Sequence, residues 1–336
     1  MGFSRQASQA IGLSATSLCL SVLMSCGNQT QAPTPGSSMT SSENMSQHAG
    51  MSHGKKININ SGLLSELDKL EAKLGVPALS NKIQASRPYG KSEELVSKKV
   101  ISQAQFDQVK DLVTIEEIVL TGEAKDIDYM VKLGLMKGHM MVARELLDLK
   151  KVDQAEPHIK HPVEEIYTDL EEQFKERNIK EFKSTLIKLQ DMVKAGAKDA
   201  AKTDEQFKLA LDAIDGAITA LPEKQRKDDK FVLQVMTGLL DTASSEYGAS
   251  IADGKIKEAI EYQDSRGFVR YAEELYTKIS PQVATQSPEK AKQIAAALKD
   301  LTTAWPTPVP PAVPVKPVDD VTKLIKSIET AAQKSM

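Results

Sequence analysis

From Leu63 onward, apolar positions recur three or four residues apart, and no run shows the two-residue alternation of a half-buried strand. The clearest stripe lies in a helix expected from about Ala124 to Lys150. There Leu133, Met136, Met140, Ala143 and Leu147 follow one another at spacings of 3, 4, 3 and 4, beside a row of Leu135, His139, Val142 and Leu146. A shorter pattern covers Leu63–Leu74, and a helical run is expected from Ser92 to about Leu120. His161-Pro162 reads as the next helix start, with Val163, Ile166, Tyr167, Leu170 and Phe174 as its buried row and Lys151–Lys160 as a connector before it. Further helices are expected at about 179–195, 203–221, 228–252, 255–279 and 288–303, with a last one at 319–334. The connections are short, as between antiparallel neighbours. The fold class is therefore all-α, an elongated antiparallel helical bundle.

The ends of the chain differ from this pattern. Arg5 precedes an apolar run from Ile11 to Met24, too short and too rich in serine to span a bilayer comfortably. Leu23-Met24-Ser25-Cys26 resembles the bacterial lipoprotein lipobox, with Met24 in place of the usual small residue. That resemblance implies a signal peptide at 1–25, lipidation at Cys26 and a membrane anchor facing the periplasm. Residues 26–60 read as a disordered tether of small and polar residues. It carries Met39, Met45, His48, Met51 and His53, soft and borderline ligands that suit copper, or else incidental members of a spacer. The helical-bundle domain is expected at 61–304, a polyproline-like strap at 305–317 and a C-terminal helix at 318–336. That helix either packs back on the body or seeks an envelope protein partner.

Composition adds three constraints. Hydrophobic residues make up 40% of the chain but aromatics only 4%, so the core is aliphatic, which suits helices better than a β-sandwich. A net charge of −3, with Lys and Glu interspersed, gives no reason to expect nucleic acid as a partner. Of the two cysteines, Cys19 leaves with the signal, so no disulfide or thiolate site remains. The chain has no GxSxG, HExxH or Gly-rich phosphate loop. It reads as not an enzyme.

Candidate chemistry gathers between Gly134 and Phe174. Three of the five histidines lie there, His139, His158 and His161, with Glu164 and Glu165 beside them. Imidazole and carboxylate together suit iron, zinc, manganese or copper. The same residues also fit a structural role, His161 near an N-cap and His139 in an apolar stripe. Around Asp253-Gly254, two Glu-Tyr pairs, Glu246-Tyr247 and Glu261-Tyr262, fall at matching heights, roughly 11 Å from the turn at 1.5 Å per residue. They read as a polar rung or as surface boundary residues. Glu261, Asp264 and Arg266 read as a polar helix face with local ion pairs.

Two family resemblances follow. His161-Pro162-Val163-Glu164 is similar to the HxxE core of imelysin-like, iron-associated periplasmic proteins, with Ile159 where that family carries glycine. Leu239–Phe268 resembles the helical periplasmic extension of bacterial relatives of the high-affinity iron permease. Both imply iron and the cell envelope. The expected function is an envelope-anchored metal-binding accessory, with iron or copper bound; the alternative is a non-catalytic interaction scaffold.

Overall fold

The computed structural model describes residues 56–116 and 119–333. The expected signal peptide, the lipidation residue Cys26 and the tether residues Met45, His48, Met51 and His53 lie outside them. The described chain is helical apart from two short ladders of two residues per strand.

Two apolar cores organise it. The smaller is built by β1 (Ile57–Asn58), α1 (Leu64–Leu74), α2 (Leu79–Ala85), α3 (Glu94–Ser97), α4 (Gln103–Val109) and β2 (Val113–Thr114). Ile59, Leu67, Leu79, Ile83, Leu95 and Val109 fill it, and β1 pairs in parallel with β2. Two expectations change here. The expected tether ends at residue 60, but Ile59 is fully buried and the Ile57 N–H donates to the Leu112 carbonyl at 2.7 Å. The single helix expected over Ser92–Leu120 is instead two short helices and a strand. The chain turns at Lys99, in the left-handed region at φ 58°, and restarts at Ser102, whose hydroxyl accepts from the Gln105 N–H.

The larger core joins α5 (Gly122–Asp148), α6 (Val152–His161), α7 (Tyr167–Glu176), α8 (Lys183–Lys194), α9 (Ala200–Ile218), α11 (Asp229–Ala249), α12 (Ala259–Gln286), α13 (Pro288–Leu301) and α14 (Val318–Gln333), with the short α10 (Glu223–Arg226) linking α9 to α11. The expected stripe of α5 is buried along Leu133, Met136, Met140 and Ala143. Between α11 and α12 the chain forms a small hairpin, β3 (Ile251–Ala252) with β4 (Lys255–Ile256). Asp253 and Gly254 at its tip both have positive φ, 54° and 70°, as a tight primed turn needs. The strap packs down through buried Trp305, whose indole N–H donates to Ser265 Oγ at 2.7 Å. Tyr247 and Tyr262 are fully buried with ring centroids 6.5 Å apart, and their hydroxyls donate to the carbonyls of Lys316 and Thr307. The two tyrosines thus form an internal rung under the strap rather than surface boundary positions. The C-terminal helix folds back: Val321, Ile325 and Ile328 of α14 are buried in the larger core.

Two local features place the site. First, α5 and α12 cross in backbone contact. A Cβ on Gly267 would lie 2.2 Å from the Gly138 carbonyl oxygen, and one on Gly138 would lie 2.6 Å from the Phe268 ring. Only glycine allows this approach, and it brings the next residue of α5, His139, to α12. Second, the connector expected at Lys151–Lys160 is helix α6. It runs on through a π turn at Pro162–Ile166 into α7 without a break. The Tyr167 N–H bonds to the Pro162 carbonyl five residues back. His161 is therefore inside a helical run and not at an N-cap.

Candidate metal centre

Three histidines converge on one carboxylate. His139 comes from α5, His158 and His161 from one face of α6, and Asp264 from the middle of α12. His139 Nδ1 and His158 Nδ1 each lie 2.6 Å from Asp264 Oδ1, and His161 Nδ1 lies 3.5 Å from Oδ2. The rings of His139 and His161 are 5.3 Å apart, close enough to address a common ion. His139, His158 and Asp264 are buried and each offers a ligand atom within 4.8 Å of the others. Among the described residues no other group of three does so.

The hydrogen bonding here is incomplete. His158 Nδ1 bonds to Asp264 and His158 Nε2 to Gln263 Oε1 at 2.9 Å. His139 Nδ1 sits just as close to Asp264 but outside hydrogen-bonding geometry, so this buried atom has no hydrogen-bond partner. A buried polar nitrogen in that position is costly unless something else occupies its lone pair. Two imidazole nitrogens facing one carboxylate oxygen are a set that a cation would satisfy in full. Two histidines and a carboxylate suit Fe(II), with Zn and Mn as competitors. The residues present fit a metal ion.

The other sequence candidates fall in different places. Glu165 is half-buried, accepts a hydrogen bond from the Leu64 N–H at the start of α1, and lines a cavity of about 40 Å³ with His139, His161, Glu246, Glu261 and Asp264. Glu164 does not join them: it is exposed and pairs with Lys160 at 3.7 Å. The expected His161–Glu164 pairing assumed α-helical phase. In the π turn each turn holds more residues, so the position beneath His161 moves one later, to Glu165.

Sequence reasoning missed the hub. Asp264 looked like one of several polar residues on a helix face, yet it is 3% exposed and sits among the histidines. Its neighbour Arg266 makes no local pair but reaches Glu145 of α5 at 2.7 Å. The usable signal was a pair of glycines near ligand types, Gly138 next to His139 and Gly267 three residues after Asp264. Glu246, taken as part of a rung, and Asp68 of α1 line the same cavity.

Charge is divided across the site. Burial would push the Asp264 carboxyl up, but His139 and His158 outweigh it and hold Asp264 well below the usual carboxylate range. Burial pushes His139 down. His161 also suffers burial, yet Asp264, Glu165 and Glu261 prevail and raise it to about 9. On the far wall burial pushes Asp68 up to about 8, Glu261 up to about 7 and Glu246 well above its ordinary value, with the neighbouring carboxylates adding to each.

Residues 222–336 match the family model described as the iron permease-associated 4-helix bundle domain. The matched segment spans α10 to α14 and includes the stretch Leu239–Phe268. It contains Glu246, Glu261, Gln263 and Asp264, whereas the three histidines precede it. No curated protein and no solved structure matches the chain. Among the described residues, no helix is long and apolar enough to cross a membrane.

Proposed function

We propose that the protein is a non-catalytic accessory of iron handling at the bacterial cell envelope, and that it holds iron as cargo at His139, His158 and Asp264. The observation that carries this reading is the convergence of two buried imidazole nitrogens on one buried carboxylate, with His139 Nδ1 lacking a hydrogen-bond partner. The kinship of residues 222–336 with an iron permease-associated domain selects iron from the metals that this set accepts. His161 and Glu165 border the cavity on the α1 side, where an ion would arrive and leave. Lipid anchoring through Cys26 would keep the cargo near a membrane transporter, the envelope partner that this reading supplies.

The test is metal loading of the full mature chain with Fe(II), Zn(II) and Cu(I), followed by dialysis and metal analysis. One equivalent of iron retained by the native chain and lost in His158→Ala and Asp264→Asn supports the reading. Copper retained without iron, and lost on replacing Met45, His48, Met51 and His53, moves the function to the tether. No retained metal leaves a helical scaffold.

A further inference from the structure

We infer that Gln263 is a positioning residue which fixes the ring nitrogen that His158 turns toward the metal centre. The inference rests on the metal reading above for its functional meaning, but its geometry stands separately.

The Pro308 carbonyl, in the strap, is a backbone oxygen and can only accept. It lies 3.1 Å from the Gln263 amide nitrogen, and Gln154 Oε1 of α6 lies 3.0 Å from the same nitrogen. Reversing the Gln263 amide would set its oxygen against the Pro308 oxygen inside a buried site. Its NH₂ therefore faces the strap, and its Oε1 faces His158 Nε2 at 2.9 Å. An amide oxygen can only accept, so His158 Nε2 must carry a proton. That nitrogen is closed to metal. The nitrogen left for the centre is Nδ1, the one 2.6 Å from Asp264 Oδ1.

The arrangement follows the general pattern in which a ligating imidazole is oriented by a hydrogen bond from its other nitrogen. What differs is the source of the orientation. It runs from the strap backbone through one amide to the ring, so the Pro-rich segment after Trp305 helps define the site without touching it. Gln263 and His158 are both buried, at 1% and 0% exposure, so bulk water does not reach either side chain. A residue that merely filled space between α6 and α12 would not dictate a tautomer.

The experiment uses the full chain with ¹⁵N-labelled histidine, metal-free and loaded with Zn(II) as a diamagnetic probe. In the native chain, long-range ¹H–¹⁵N spectra should show His158 Nε2 protonated in both states, with Nδ1 taking a metal-bound shift on loading. Gln263→Met keeps the volume but removes the acceptor. It should scramble the His158 tautomer and weaken Zn(II) binding about 10- to 100-fold. Gln154→Ala removes one of two acceptors for the amide and should change affinity by less than about 3-fold, since Pro308 still holds it. A native His158 whose Nε2 lacks a proton, or a Gln263→Met variant that keeps both the Nε2 proton and native affinity, overturns the inference. If the native chain binds neither Zn(II) nor Fe(II), the metal reading fails. The metal-free spectra of native chain and variant then decide the role of Gln263 alone.

Discussion

Asp264 and Glu246 are two carboxylates of nearly equal burial, 3% and 4% exposed, on the paired helices α12 and α11. Their carboxyl groups shift in opposite directions. His139 and His158 hold Asp264 well below the usual carboxylate range against burial, while burial, with Asp68, Asp264 and Glu261 adding to it, pushes Glu246 well above it. Burial alone therefore does not set a carboxyl group's charge; the sign of its neighbours does. One wall of the cavity is prepared to ligate and the other to hold hydrogen.

The largest effect should come from removing the charge on the ligating wall. Asp264→Asn leaves two buried histidines, His139 and His158, and the partly buried His161 facing a neutral amide. It should abolish iron retention and destabilise the chain by about 3 kcal/mol or more in denaturant titration, as expected when one member of a buried charged group is lost. Native metal content in this variant would remove Asp264 as the hub. Next is the crossing that presents Asp264 to His139. Gly267→Ala places a Cβ 2.2 Å from the Gly138 oxygen. The helices must separate, at a cost of roughly 3 kcal/mol, the upper end for overpacking. Calorimetry should show a lowered Tm, and metal loading should weaken as His139 withdraws. An unchanged Tm would mean that the crossing is looser than described.

The protonated wall is tested by pH. The Asp68 carboxyl titrates at about 8 in the folded chain against 3.8 when unfolded. The folded state thus holds a proton that the unfolded chain has released. This contribution is fully present below 3.8 and is lost as pH rises through about 8. Asp68→Asn imitates the protonated form. It should match the native chain in stability near pH 4 and exceed it near pH 9, and the metal-free stability difference between the two should grow steadily between those limits. A flat difference curve would show Asp68 charged throughout. The smallest effect is expected at Glu164, a ligand candidate by sequence that points into solvent. Glu164→Ala should leave metal content unchanged and shift stability by less than about 0.5 kcal/mol. Loss of metal in this variant would restore the His161–Glu164 pairing.

Much of the architecture was legible because long amphipathic stripes survive any local surprise. The row of α5 follows directly from spacing, and the approximate ranges expected at 179–195, 203–221 and 288–303 contain α8, most of α9, and α13. What escaped was long-range or locally out of phase. The smaller core depends on a strand of only two residues, Ile57–Asn58, pairing with Val113–Thr114 more than fifty positions away. Asp264 carries no local mark that separates a hub from a solvated face; only the fold brings α12 against α5. The carboxylate wall draws on α1, α11 and α12, three helices whose adjacency no periodicity encodes.

The π turn at Pro162–Ile166 has a further consequence, best put in terms of helical phase. Ala155, His158, Ile159 and Pro162 lie on one face of an ideal α-helix, and Tyr167, Leu170 and Phe174 lie on another, about 100° away, the step of a single residue. Both sets point inward because one extra residue is taken up between them. Pro162 suits a first helical position, which is why His161-Pro162 reads as a helix start in the sequence. Straightening this stretch with all its residues kept would force a choice between burying the aromatic row and presenting the histidines, whereas deleting any one residue from Val163 to Ile166 would let an uninterrupted α-helix turn both inward.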